Sequence, residues 1–203
     1  MRLWNDLMTR ICRLLVFHAC LLSAAASAES VPAQQAFWEN LQSLCGQAFA
    51  GRLTDFSRPA DEGWLDREVI IHVRRCSATE IRIPLHVGTD RSRTWVLRRS
   101  DQGLTLKHDH RHEDGSEDPV SWYGGHTTDA GRSWRQTFPA DDYSKALFLA
   151  LGLDVSVGNF WSMEVHSDVQ MFAYELVRPG RRFRAEFDLS DTVESPPAPW
   201  GHN

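Results

Sequence analysis

Between residues 69 and 189 the hydrophobic pattern repeats every second residue, and this limits the fold more than any other feature. Val69, Ile71 and Val73 alternate with Ile70, His72 and Arg74. Ile81, Ile83, Leu85 and Val87 alternate with Glu80, Arg82, Pro84 and His86. Leu104 and Leu106 alternate with Thr105 and Lys107. Later, Phe172, Tyr174 and Leu176 share one face. Phe183, Ala185, Phe187 and Leu189 share another, opposite Arg182, Arg184, Glu186 and Asp188. Such alternation belongs to strands with one buried and one wet face. Turn signals at Asp101-Gln102-Gly103, Asp114-Gly115, Ser167-Asp168 and Arg178-Pro179-Gly180 divide the runs into roughly ten short strands. Strands joined by tight turns pair antiparallel. A meander of that length removes its exposed edges by closing into a barrel.

Two segments break the period. Phe37, Leu41 and Leu44 stand at i, i+4 and i+7, with Trp38 beside them, which predicts a short amphipathic helix ended by Cys45-Gly46. Pro139-Ala140-Asp141-Asp142 is a helix-start signal, Ser144 to Leu151 favours helix, and Gly152 is a stop. The expected fold is therefore mainly β: an antiparallel barrel with a short N-terminal helix and one inserted helix.

The first 28 residues have the three parts of a secretory signal. Arg2, Arg10 and Arg13 form a basic start, Leu14 to Ala26 is a short apolar run, and Ala26-Ser27-Ala28 is a small-x-small cleavage site. The apolar run is too short for a bilayer span, which needs about 20 residues, and His18 interrupts it. Phe17-His18-Ala19 does not suit lipidation at Cys20. The expected division is a signal at 1–28, one barrel domain at 29–189 and a Pro-rich flexible tail at 190–203, in a secreted or periplasmic protein. Cleavage removes Arg2, Arg10, Arg13 and Asp6, so the formal charge moves from −5 to −7. An acidic chain is a poor partner for nucleic acid or anionic lipid. Cleavage also removes Cys12 and Cys20 from the four cysteines. Cys45 and Cys76 remain, an even pair in an oxidising compartment, and a disulfide between them is predicted.

The segment Cys45-Gly46-Gln47-Ala48-Phe49-Ala50-Gly51 follows the first helix with G-x-x-F-x-G on a first strand. This resembles the opening of calycin barrels. The ten-strand count is similar to fatty-acid-binding and nitrobindin-like members, and the whole looks like a widespread type of secreted bacterial protein. The resemblance spans about 37–189 as a pattern. It implies an interior for a small apolar or amphipathic ligand, with Leu106, Phe172, Tyr174 and Phe187 among its lining. It does not carry over a haem site: the closing strand from Arg181 to Leu189 has no histidine, which leaves only His166 on an earlier strand.

The densest chemistry is Lys107-His108-Asp109-His110-Arg111-His112. Two readings stand. His108, His110 and His112 continue the inward face of Leu104 and Leu106, and could offer imidazoles to zinc or another transition metal. Alternatively, the strand has left the core by His108, and the histidines alternate with Asp109, Arg111 and Glu113 on a solvated hairpin end. The second is the commoner outcome. Trp122-Tyr123-Gly124-Gly125-His126 reads as a strand end and turn, or as a ligand loop in which the glycines permit close backbone approach. Arg82 and Glu164 belong on wet faces, and Tyr174 in the core with its hydroxyl on a partner. No G-x-S-x-G, P-loop, paired CxxC or HExxH is present. The expectation is a binding barrel rather than an enzyme, with a metal-dependent protein using the histidine strand as the rival.

Overall fold

The computed structural model describes residues 32–202; the leader expected at 1–28 lies outside them. Helix α1 covers 32–42. The strands are β1 (Ala48–Phe56), β2 (Val69–His72), the two-residue β3 (Arg75–Cys76), β4 (Glu80–Val87), β5 (Asp90–Ser100), β6 (Gly103–His110), β7 (Tyr123–His126), β8 (Arg135–Pro139), β9 (Phe160–His166), β10 (Met171–Arg178) and β11 (Arg181–Asp188). Helix α2 (Asp142–Ala150) lies between β8 and β9. The sheet order is β7-β6-β5-β4-β2-β1-β11-β10-β9-β8, antiparallel throughout, with β3 attached to β4. This is the expected ten-strand meander, nearly closed as a barrel.

The first strand pairs with the last, as when Gly51 faces Phe187. The remaining seam, between β7 and β8, is bridged at Gly125 and Ala140, where the Asp141 amide also donates to the Gly124 carbonyl at 3.0 Å. A Cβ on Gly125 would collide with the Pro139 carbonyl, and one on Gly124 with the Leu106 carbonyl. The glycine pair is thus where the sheet closes, because only residues without side chains let three strands approach so tightly there.

Alternation places one side chain in two inside. Ile81, Ile83, Leu97, Leu106, Phe138, Met163, Phe172 and Ala185 have no solvent exposure and join one continuous core. The two ends of the barrel differ. At the lower end, where β5 turns into β6, α1 inserts Phe37, Trp38 and Leu41, all fully buried. Each such side chain contributes about 1.5–3 kcal/mol by burial. The predicted disulfide is present: Cys45 just after α1 joins Cys76 on β3, with Cα atoms 6.2 Å apart. The upper end is covered by α2, capped where Asp141 Oδ1 accepts from the Ser144 amide at 2.9 Å, and by a 3-10 turn at Pro59–Trp64.

The Pro-rich segment expected to be a flexible tail is docked on the outer wall. Val193 bonds to Ala48, the Trp200 amide donates to the Arg91 carbonyl at 3.1 Å, and Arg91 donates to the Ala198 carbonyl at 3.0 Å. His202 Nε2 meets Asp109 Oδ2 at 2.7 Å. The segment runs beside outward-facing Ile70, His86 and Thr94, which are buried. The prolines supply no amide donors, so the attachment is made by the residues between them.

Candidate functional site

The inward face of β6 changes chemistry as it rises. Leu104 and Leu106 are buried in the core, and His108 follows at 3 % exposure. The solvated-hairpin reading therefore fails for His108, because the barrel wall continues past it on both sides: β5 pairs as far as His110, and β7 as far as His108 opposite Tyr123. His110 is partly buried. Only His112 is exposed, in the turn beyond the strand.

His108 is held by two hydrogen bonds. Its Nδ1 lies 3.1 Å from the Tyr123 carbonyl and its Nε2 2.7 Å from the Tyr174 hydroxyl. A carbonyl can only accept, so Nδ1 carries the hydrogen in the neutral ring. Nε2 is then the acceptor, and the Tyr174 hydroxyl donates to it. Around this pair stands an aromatic wall. Tyr123 stacks on His108 with centroids 4.5 Å apart, Trp95 stacks on Tyr174 at 4.3 Å, and Trp161 tilts toward His108 at 5.2 Å. One step nearer solvent, the Tyr123 hydroxyl and His110 Nε2 are 3.2 Å apart.

Burial pushes the His108 imidazole down to about 3, with His110 adding repulsion, so it is neutral at physiological pH. Burial, then Arg93, pushes His110 down to about 4. Burial raises the Tyr123 phenol to about 12 and lifts Tyr174 well above its ordinary value. The cluster is therefore an uncharged set of donors, acceptors and ring faces. Partly buried Phe56, Trp64, Val120, Val157 and Leu176 surround it at the upper end. Arg93 enters the same end over the Trp64 ring at 5.5 Å, with its charge met by Asp90 at 2.6 Å.

The sequence-predicted residues divide by depth. Leu106, Phe172 and Phe187 lie in the filled core at 1 % exposure or less, and Tyr174 stands just above them at 7 %. At their level the interior is occupied by side chains. Two grooves, of about 820 and 760 Å3, lie outside the wall, beneath the C-terminal segment and beside α1. The three histidines do not converge. His108 is engaged at both ring nitrogens, His110 meets Tyr123, and His112 points to Asp118 at 3.9 Å. Among the described residues no group of three or more His, Cys, Asp or Glu side chains is placed to hold a metal ion. His166 faces outward, tilted against Trp134 with centroids 4.7 Å apart and bonded to Glu164 at 3.0 Å.

Glu164 lies on the outer face as expected, yet is buried under Arg135 and Arg184, which donate to it at 2.6 and 2.9 Å. Trp95, Trp161, Trp64 and Arg93 complete the upper cluster without having stood out in the sequence. For the strand residues the signal was the same alternation, which sets Arg93, Trp95 and Leu97 on one face, but an aromatic residue at a core position is usually only core; Trp64 lies in the 3-10 turn, where no alternation marks it. Comparison with family models, curated proteins and solved structures finds no match.

Proposed function

We propose that this chain is an exported barrel that binds a small apolar or amphipathic molecule through its upper mouth. The observation that carries this reading is the contrast between the two ends of the barrel interior. The lower interior is filled and apolar, while the upper interior offers aromatic faces with the Tyr123 hydroxyl and His110 half-buried beside them. Small-molecule sites are largely apolar concave surfaces with a few placed polar groups, and the mouth of a β-barrel is a usual place for one. An apolar moiety would press on the partly exposed rings of Tyr123 and Trp64. Its polar end would remain at His110 and Arg93. Leu106, Phe172 and Phe187 lie beneath as the floor and would be reached only by a ligand that displaces side chains. Export is supported by the N-terminal leader and by the disulfide, which suits an oxidising compartment.

Native mass spectrometry of protein recovered from the exported fraction tests this. The reading predicts a mature chain beginning near Glu29 that carries a non-covalent small molecule at one per chain. A protein that carries nothing, and that binds no member of an apolar and amphipathic compound panel, would contradict it.

A further inference from the structure

We propose that Tyr174 is a site of reversible one-electron oxidation, with His108 as the acceptor of its phenolic proton. The inference is independent of any bound ligand and rests on the geometry of the buried pair. A phenol gives up an electron far more readily when its proton can leave in the same event, and a proton leaves readily only toward a base already in hydrogen-bond contact. Tyr174 has that base at 2.7 Å. The Tyr123 carbonyl fixes which nitrogen is bare, because it requires the hydrogen of His108 to sit on Nδ1. Nε2 is thus aimed at the phenol as an acceptor, and burial keeps it unprotonated before the reaction.

The step balances as follows. The O–H bond of Tyr174 breaks and an Nε2–H bond of His108 forms. One electron leaves to an outer-sphere one-electron oxidant, such as a ruthenium(III) polypyridyl complex. The products are a neutral phenoxyl radical and an imidazolium. A one-electron reductant returns the electron, and the proton moves back to oxygen. Burial disfavours the imidazolium, so the proton returns to oxygen once the electron is restored, while contacts around the pair hold each product in place. The imidazolium keeps its Nδ1–H bond to the Tyr123 carbonyl and lies against the rings of Tyr123 and Trp161, which attract a cation. The radical is enclosed at 7 % exposure, stacked on Trp95, and so protected from coupling with a second radical. Electrons can reach it from the mouth, since Phe183 lies 6.4 Å from Tyr174 and 5.0 Å from the partly buried Trp64, centroid to centroid.

The chain has three tyrosines, and they occupy three different settings. Tyr174 has an imidazole at short range. Tyr123 has one at 3.2 Å, nearer solvent. Tyr143 is 53 % exposed and its hydroxyl meets only a carbonyl, at 3.4 Å. The test is flash oxidation of the full protein by photogenerated ruthenium(III) tris-bipyridine, followed by transient absorption and electron paramagnetic resonance. A phenoxyl signal that outlives that of free tyrosine by an order of magnitude or more is expected. Tyr174→Phe, which keeps the ring, should remove that long-lived signal, and Tyr143→Phe should leave it intact. In the unsubstituted protein, high-field spectra should show a radical oxygen that accepts a hydrogen bond. A long-lived signal that survives Tyr174→Phe, a radical without that hydrogen bond, or no long-lived radical at all would each overturn the proposal.

Discussion

The two ends of this barrel are closed by different means. The lower end is shut by an apolar helix whose Phe37, Trp38 and Leu41 are fully buried, and a disulfide pins the chain just after that helix. The upper end is covered by short elements over a cluster of imidazoles, phenols and indoles, in which Tyr123 and His110 remain partly exposed. The lower end contributes stability through area removed from water. The upper end accepts polar groups that must each find a partner, and gains a reachable, chemically varied surface. Apolar burial is concentrated at the lower end, and the polar groups at the upper end are met by hydrogen-bond partners.

Paired substitutions at the two ends give the largest effect. Phe37→Ala should lower unfolding free energy by about 3–5 kcal/mol, the usual loss for a buried phenylalanine. Tyr123→Phe should cost about 1 kcal/mol, the worth of one hydrogen bond. Urea unfolding of both variants measures the difference, and equal losses would remove the asymmetry. Next is the disulfide, whose ends are 31 residues apart. Replacing both cysteines by serine should lower stability by about 3–4 kcal/mol, from the loop-closure entropy restored to the unfolded chain. Hydrogen exchange should then rise first in α1.

Acid should do the reverse and loosen the upper end. His108 and His110 are held below 6.5 in the folded protein, at about 3 and about 4. The unfolded chain therefore binds more protons between pH 6.5 and about 4. Stability is at its full value above 6.5 and falls as pH drops through that window. His108 alone should remove about 2 kcal/mol between pH 6.5 and 5, at 1.36 kcal/mol per unit. Exchange in β6 and β7 should accelerate before exchange in α1. The smallest effect is expected at the C-terminal segment. His202→Ala should cost about 1 kcal/mol, because Arg111 still donates to Asp109 at 2.9 Å, and it should raise protease sensitivity after residue 190.

Much of the fold was legible because alternation records which side of a wall each residue faces. The strands, both helices and the pairing of Cys45 with Cys76 follow from it and from turn and export signals. Closure was legible only as a need to remove edges. The place of closure depends on Gly124 and Gly125, which read in the sequence as a strand end and turn. Of the two readings of His108, the solvated hairpin was favoured because a histidine after two leucines looks like a strand leaving the core. The deciding fact is that β5 and β7 extend beside it, and that is tertiary. The docked C-terminal segment was hidden for a related reason: proline-rich composition indicates poor intrinsic order but carries no information about a receptive surface formed by residues 70–109.

The central claim is that small molecules engage the upper end alone. An NMR titration of the disulfide-intact protein with the amphipathic probe 1-anilinonaphthalene-8-sulfonate, reading backbone amides and aromatic side chains, tests it directly. The account predicts saturable shifts at one probe per chain, concentrated on Trp64, Arg93, His110, Tyr123 and Trp161, with Phe37, Trp38 and Leu41 unmoved. Shifts centred on α1, or on the outer groove beneath residues 193–197, would contradict it.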